Sequence, residues 1–386
     1  MEPLGIYVHI PYCLKKCRYC DFVSFPIRSC PLDPDSYAYR VCKEIEDTDE
    51  DTKKGYIVDS IYFGGGTPTC IGTDLLGRIL LTIRNNLRVS DDAEISIEAN
   101  PETVTVKKAE NLKFLGFDRI SMGVQSLDDK VLKNLGRVHD SARAIEAYHI
   151  LRDAGFENIN LDLMFGIPGQ TMEIWEDSLR KVIDFSPEHI SFYGLQIEEG
   201  TPFYEEYKEG TLEIPSWEEN RAMYALALEK LKAAGYVHYE VSNAAKPGFE
   251  CRHNLKYWTM KPYLGFGTSA HSFLNGERSY NTDDTEYAKE REESEDEDEK
   301  ILERMGDLIF TELRLVKGVD TDQFRELFGK NIEDVFGKLL KEGELSEYLE
   351  ISGDKEGKLK ELALSRKGFD NTNYVMKRFI EAIYEQ

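Results

Sequence analysis

Strand-like and helix-like segments alternate from residue 5 to about residue 240, and this alternation limits the fold more than any other feature. Short apolar, β-prone runs are separated by helical stretches with their own start and stop signals, such as the capping box Ser216-Trp217-Glu218-Glu219 and the later Gly235. Strands joined by helices run parallel in one sheet, which is open or curled into a partial barrel. The predicted strands are 6–10, 60–63, 95–99, 119–123, 159–164 and 190–194.

Three cysteines follow the first predicted strand in the spacing C-x3-C-x2-C, at Cys13, Cys17 and Cys20. Thiolates are the usual ligands of iron–sulfur clusters, and three on one loop can bind three irons of a cubane while an outside molecule binds the fourth. A closed zinc site that uses His9 is the alternative, but no second C-x2-C pair follows. A disulfide framework is disfavoured because the chain has only seven cysteines, an odd number. The loop therefore predicts a cluster with one open coordination position.

Polar residues or glycines stand at or near the carboxyl end of each predicted strand. Parallel α/β folds bind ligands at that edge of the sheet, so these residues are expected to surround one site. The turn Gly64-Gly65-Gly66-Thr67-Pro68 lacks the Gly-Lys-Ser/Thr of a phosphate-binding loop. Its glycines either relieve tight packing or let the backbone approach a small zwitterion. The other candidates, from the third strand to the sixth, are Glu98, Gln125, Asp162 and Gln196.

The cysteine loop combined with the Gly-Gly-Gly-Thr-Pro turn resembles the radical S-adenosylmethionine (SAM) superfamily. The likeness covers most of the chain, including residues 98–101, 123–126, 136–137 and 161–169. The resemblance implies an α/β fold with a partial (β/α)6 barrel, a 4Fe–4S cluster held by Cys13, Cys17 and Cys20, and SAM on the open iron. By motif match it also implies that SAM is lined by Tyr7, Tyr19, Gly65, Gly66, Thr67, Glu98, Gln125, Arg137, Asp162 and Gln196.

Within this superfamily the chain is similar to the branch that contains oxygen-independent coproporphyrinogen III oxidases and HemW-type haem chaperones. Asp21-Phe22 stands where the oxidase pattern has a further cysteine, and the oxidase's N-terminal extension has no counterpart before Tyr7. The run His253-Asn254-Leu255-Lys256-Tyr257-Trp258 matches the chaperone signature. An imidazole beside aromatic rings offers an axial ligand to haem iron, so the resemblance implies haem binding by His253. Composition alone favours a buried structural histidine at this position.

The resemblance therefore implies a chaperone that binds haem and passes it to acceptor proteins, with SAM cleavage left open. The alternative is coproporphyrinogen oxidation or another radical SAM modification of a tetrapyrrole. A radical tRNA-modifying enzyme is a third class, and the net charge of −24 disfavours it because an acidic surface repels phosphate backbones.

The location and assembly of the chain are less constrained by its sequence. No apolar run is long enough to span a membrane, and unpaired cysteines are typical of the cytoplasm. We therefore expect a cytoplasmic protein that is not an integral membrane protein and does not bind nucleic acid. The oligomeric state stays open.

The composition changes after about residue 280. Residues 1–280 are predicted to form the barrel, and residues 281–299 an acidic linker in which the run 290–299 is solvated or starts a helix. Residues 300–386 are predicted as a smaller α+β domain of winged-helix-like order, with three helices, two strands around the turn 352–357 and a last helix. Such modules often bind DNA, but this one is net acidic, which favours a lid or a protein-contact domain.

Overall fold

The structure is a computed structural model that describes residues 1–284, 286–291, 297–353 and 358–384. The chain forms two compact units. The first comprises Met1–Val237, Ala244–His253 and Pro262–Arg291, and the second comprises His238–Asn243, Asn254–Lys261 and Glu292–Gln386. Residues 285 and 292–296 of the predicted acidic linker, and residues 354–357 of the predicted turn, lie outside the described residues.

The first unit combines strands and helices, and helices dominate the second. The strands are β1 (Glu2–Ile10), β2 (Tyr12–Cys13), β3 (Phe25–Pro26), β4 (Tyr56–Gly65), β5 (Val89–Ala99), β6 (Arg119–Gln125), β7 (Asn158–Phe165), β8 (His189–Gly194), β9 (Val237–Glu240), β10 (Asn243–Ala245), β11 (Tyr263–Phe266), β12 (His271–Leu274), β13 (Glu277–Asn281), β14 (Lys289–Arg291), β15 (Leu349–Gly353) and β16 (Leu359–Leu364). The helices are α1 (Pro34–Glu46), α2 (Glu50–Gly55), α3 (Thr73–Asn86), α4 (Val106–Leu115), α5 (Asp129–Leu135), α6 (Ser141–Asp153), α7 (Met172–Phe185), α8 (Pro202–Lys208), α9 (Trp217–Ala233), α10 (Arg252–Trp258), α11 (Glu297–Glu312), α12 (Thr321–Phe328), α13 (Ile332–Lys341), α14 (Arg366–Asp370) and α15 (Thr372–Tyr384).

Six parallel strands lie side by side in the order β1, β4, β5, β6, β7, β8. They contain the six predicted runs, which confirms the βα alternation. On the other side of β1 the sheet continues through β11, which is parallel to β1, and then through β12, β13 and β14, which are antiparallel. The sequence does not predict this extension, because each of its strands has five residues or fewer and too short an apolar pattern to be recognised.

The two faces of the parallel strands differ in polarity. On one face, apolar side chains such as Ile6, Val8 and Ile10 are fully buried and pack in one core with the helices. Because successive side chains alternate between faces, the polar residues of neighbouring strands share the opposite face. We call this second surface the polar face; it carries Tyr7, Tyr62, Ser96, Glu98, Ser121, Asn160, Asp162 and Ser191.

The second unit has a core of its own. Phe324, Phe336 and Phe379 pack there edge to face, with ring centroids 5.2 Å apart for Phe336 and Phe379. Its order, three helices α11 to α13, the hairpin β15–β16 and the last helix α15, confirms the winged-helix-like prediction, and α14 is a short addition. Across the described ranges, no helix is both long and apolar enough to cross a bilayer.

Candidate functional site

The three predicted cluster cysteines lie on the loop that leaves β1 at its carboxyl end. Cys13 is buried, and Cys17 and Cys20 are half-buried. Burial raises the pKa of the Cys13 thiol and raises that of Cys20 to about 11, and the neighbouring thiols add to both shifts because they are close in space. Among the described residues, no three His, Cys, Asp or Glu side chains already converge on a point that could hold a metal ion. The three thiols are therefore close in space, but they are not arranged around a common point at which a metal could bind.

His9, the fourth ligand of the alternative zinc site, faces protein atoms instead of the thiols. Its Nε2 lies 2.8 Å from the carbonyl oxygen of Val23, and its Nδ1 lies 3.1 Å from the hydroxyl of Tyr7. Burial lowers its pKa to about 4, so the ring is neutral. Both ring nitrogens are engaged, which disfavours the zinc alternative.

A chain of hydrogen bonds connects the cysteine loop to two other strand ends. Arg137 donates from Nη1 to Cys17 Sγ at 3.6 Å and from Nη2 to Asn100 Oδ1 at 2.6 Å. Asn100 Nδ2 donates to Thr67 Oγ1 at 2.8 Å, and that hydroxyl lies 3.5 Å from Cys13 Sγ. The predicted residues Thr67 and Arg137 are thus brought to the cysteines, with Asn100 between them.

The glycines of the Gly-Gly-Gly-Thr-Pro turn are required by close packing. A Cβ on Gly66 would lie 2.8 Å from the carbonyl oxygen of Tyr12. Gly65 adopts a φ of +105°, in the left-handed region, and a Cβ there would lie 2.6 Å from the His9 ring. Contacts within the protein therefore account for these glycines, and the close approach of a ligand to their backbone stays a prediction.

The two predicted acids of the site, Glu98 and Asp162, lie on the polar face. Tyr62 donates its hydroxyl to Glu98 Oε1 at 2.9 Å. Burial nevertheless raises the pKa of Glu98 to about 7, and the nearby charge of Asp162 adds to the shift. Burial raises the pKa of Asp162 as well, although it accepts hydrogen bonds from Asn160 Nδ2 at 2.6 Å and Ser121 Oγ at 3.3 Å. Such carboxyl groups are suited to accept hydrogen bonds from the hydroxyl groups of a ligand.

The remaining predicted SAM-lining residues differ in how well the structure positions them. Gln125 ends β6 with a φ of 64°, uncommon for a residue other than glycine, and its Oε1 accepts a hydrogen bond from Tyr193 at 2.9 Å. Tyr19 lies in the cysteine loop beside Arg137, and burial raises its pKa above the usual range. Gln196 is exposed, two residues beyond the end of β8. The structure therefore brings Gln125 and Tyr19 to the site and leaves Gln196 at its periphery.

His253, which the resemblance associates with haem, is fully buried. Its ring stacks on Tyr62, with centroids 5.3 Å apart and planes at 22°, and lies 6.4 Å from the ring of Tyr7. Its Nδ1 lies 3.1 Å from Ser60 Oγ. Haem binding by His253 stays a prediction, and these contacts are typical of the structural histidine that composition favours.

Sequence reasoning missed several polar residues that hold the candidate side chains. The missed signal is a polar residue at every second position of an otherwise apolar strand, which marks the face opposite the core. The pattern occurs at residues 60–62, 96–98, 119–121, 160–162 and 189–193. The residues it would have identified are Tyr62, Ser121, Asn160 and Tyr193, whereas Asn100 follows a strand end.

The residues present fit the two predicted cofactors. Three free thiols on one loop are the donor set of a cluster with an open iron. Arg137 Nε is buried beside this loop and has no hydrogen-bond partner in the described part of the chain, which leaves one donor available. The acids and amides that surround the loop supply acceptors for hydroxyl and amino groups.

Comparison with known families finds a match in each of two parts of the chain. Residues 7–182 match the radical SAM superfamily, and residues 302–355 match the HemN C-terminal domain. The chain is 36% identical to Heme chaperone HemW of Bacillus subtilis over 343 residues, which cover 87% of this chain and 90% of that protein. It is 31% identical to Heme chaperone HemW of Lactococcus lactis over 383 residues, which cover 98% of each.

The overall fold is also that of a solved structure. Coproporphyrinogen III oxidase (HemN) from Escherichia coli superposes with a TM-score of 0.81 over 99% of this chain and 90% of that chain, at 22% identity. This likeness confirms the predicted fold class, and at that identity it says nothing about activity. With the sequence relatives covering nearly the whole chain, the protein belongs to the HemW heme chaperone family of the radical SAM superfamily.

Proposed function

We propose that this protein binds haem and delivers it to acceptor proteins, with a 4Fe–4S cluster and SAM as resident cofactors. The observation that carries the proposal is the 36% identity to Heme chaperone HemW of Bacillus subtilis across 90% of that protein. The match of residues 253–258 to the chaperone signature supports it. The seven free cysteines support a cytoplasmic location, and the charge of −24 supports protein acceptors over nucleic acid.

The cysteine loop is proposed to bind the cluster, and residues of the polar face and of the neighbouring loops are proposed to bind SAM. In this proposal Cys13, Cys17 and Cys20 would hold the cluster, which would provide one-electron chemistry next to SAM. The residues proposed to line SAM are Tyr7, Tyr19, Gly65, Gly66, Thr67, Glu98, Gln125, Arg137, Asp162 and Gln196.

The chain's own side chains have defined tasks in this arrangement. Arg137 orients the loop by donating to Cys17 Sγ and neutralises part of the negative charge of the thiolates. Glu98 and Asp162 accept hydrogen bonds from ligand hydroxyls, and Tyr62 fixes the Glu98 carboxyl in place. The apolar side chains on the other face of these strands are buried in the core, which fixes the strands that carry the site.

Anaerobic reconstitution with iron and sulfide, followed by optical titration with haem, tests the proposal. We expect a saturable change in the Soret band, an unchanged porphyrin on product analysis, and transfer of the haem to an apo-acceptor. Failure of the reconstituted protein to bind haem would contradict the proposal. Turnover of a porphyrinogen together with stoichiometric 5′-deoxyadenosine would instead make the protein a biosynthetic enzyme.

A further inference from the structure

All seven histidines of the chain lie within the described residues, and they differ sharply in exposure. A haem iron needs a ring nitrogen that a large flat molecule can reach. Two histidines are exposed, His149 and His271. The others are buried or half-buried: His9, His139, His189, His238 and His253.

His149 lies away from the candidate site. It is part of α6, a helix that packs in the apolar core, on the face of the sheet opposite the polar face. Its ring contacts Tyr148 and Phe185 edge-on, with centroids 5.6 Å and 6.1 Å away. The exposed imidazole of His149 therefore serves as a matched control for that of His271.

His271 begins β12 and shares the polar face with Tyr7. The register pairs Gly5 of β1 with Tyr263 of β11, and Tyr263 in turn with Phe273 of β12. Paired residues project on the same face, and so do residues two apart in one strand, so Tyr7, Phe273 and His271 lie on one surface. Gly265 separates Tyr7 from His271 without a side chain of its own.

The surroundings of His271 combine flat rings with a positive charge. Its imidazole stacks on Tyr280 of β13, with centroids 5.6 Å apart and planes at 28°. The half-buried Arg278 places its guanidinium 5.7 Å from the centre of the Phe273 ring, which is buried beneath the same face. Within the described parts of the chain, no residue forms a hydrogen bond with the His271 imidazole, so both ring nitrogens are available to a ligand.

We propose that His271 is the axial ligand of the haem iron and that the tetrapyrrole lies on the surface formed by β11, β12 and β13. This inference rests on the proposed function and assigns its haem site. Imidazole is a common protein ligand of haem iron, and the half-buried ring of Tyr280 beside it offers a flat apolar contact to the macrocycle. Arg278 provides a guanidinium for a carboxylate of the haem, with which it forms charge-assisted hydrogen bonds. His253, buried against Tyr62, then supports the polar face instead of binding iron.

The test is a haem titration of the reconstituted full chain and of three single variants. We expect His271→Ala to raise the haem Kd at least about tenfold, and His149→Ala to leave it unchanged. We expect His253→Ala, at a temperature where it is folded by circular dichroism, to raise the Kd less than His271→Ala does. An unchanged Kd and spectrum for His271→Ala, or a loss confined to His253→Ala, would overturn the assignment.

A second variant tests the assignment through the haem spectrum, so that the test does not depend on a loss of binding. His271→Cys replaces the imidazole with a thiol, and a thiolate-type haem spectrum in that variant would show that residue 271 contacts the iron. An unaltered wild-type spectrum would overturn the inference while leaving the chaperone proposal intact. A wild-type protein that binds no haem would overturn both.

Discussion

The polar face carries two groups of side chains that differ mainly in burial. Around Glu98, the side chains of Tyr7, Tyr62 and His253 are packed against one another and hydrogen-bonded. Around His271, toward the β14 edge of the sheet, the imidazole is exposed and stacks on the half-buried ring of Tyr280, beside the buried ring of Phe273. An imidazole stacked on a tyrosine ring is therefore part of a buried network in one place and is exposed in the other.

The difference follows from the cost of burying polar groups. A buried polar atom has to find a partner inside the protein, because the loss of its water is not compensated otherwise. Ser60, Tyr62 and Glu98 meet that demand for one another and for His253, which fixes their positions. An exposed imidazole such as His271 keeps its water and can exchange it for a ligand. For these two histidines, burial indicates structural support, and exposure leaves the ring open to a ligand.

The largest expected effect is the loss of the cluster on mutation of the cysteine loop, with haem binding at His271 retained. We expect Cys17→Ala to abolish the cluster absorbance on reconstitution, because one of the three loop thiolates is lost. Haem affinity should change by less than about threefold, a difference below 1 kcal/mol.

Cys30→Ala is the matched control, since Cys30 lies outside the C-x3-C-x2-C loop and should leave the cluster intact. A Cys17→Ala protein that loses haem together with the cluster would contradict the separation of the two sites.

The second prediction concerns how the buried carboxyl group of Glu98 makes the free energy of unfolding depend on pH. The pKa of Glu98 is about 7 in the folded protein against an ordinary value of 4.5, so between these pH values the folded chain keeps a proton that the unfolded chain releases. The contribution of Glu98 to the free energy of unfolding of the apoprotein should therefore fall by about 3 kcal/mol as the pH rises through this window.

Denaturant unfolding of the wild type and of Glu98→Gln, from pH 4 to pH 8, measures this contribution by difference. Burial also raises the pKa of Glu240 and Glu312 to about 7 and lowers the pKa of His9 and His238 to about 4, so other groups contribute slopes of both signs and only the difference between the two proteins isolates Glu98. Parallel curves for the two proteins would show that Glu98 titrates at its ordinary pKa.

The third prediction compares the two histidines by stability. His253→Ala removes a buried ring that packs on Tyr62 and leaves Ser60 without that partner, so it should lower the free energy of unfolding by about 2 kcal/mol. His271→Ala removes an exposed ring and should change it by less than about 0.5 kcal/mol. Urea unfolding of the apoproteins distinguishes them, and equal losses would contradict the contrast in burial.

The smallest expected effect is the change in haem affinity when the charge of Arg278, near His271, is removed. Arg278→Gln should raise the haem Kd about threefold at low ionic strength and less at high salt, because an exposed charge pair is weak and screened. Arg180→Gln, on the exposed side of α7, is the control and should have no effect. A salt-independent Kd in the wild type would show that Arg278 does not pair with the haem carboxylates.

The sequence identified the cysteine loop, the six parallel strands and most of the candidate SAM residues, because each depends on local spacing or on strand ends. It could not identify Asn100 as the connection between Arg137 and Thr67, since those residues are far apart in the chain and meet only at the edge of the sheet. It also could not place His253, because a helix start does not reveal which rings pack against it.

What the sequence determined by itself is the chemistry available to this protein: three thiols in one loop, polar residues alternating with apolar ones, and an acidic surface. These properties follow from neighbours in the chain and need no fold to be recognised. Only the tertiary structure decided which imidazole is buried and which is exposed. That choice depends on β11 to β14 extending the sheet beyond β1, and pairing between strands so distant in sequence is settled by packing, not by local pattern.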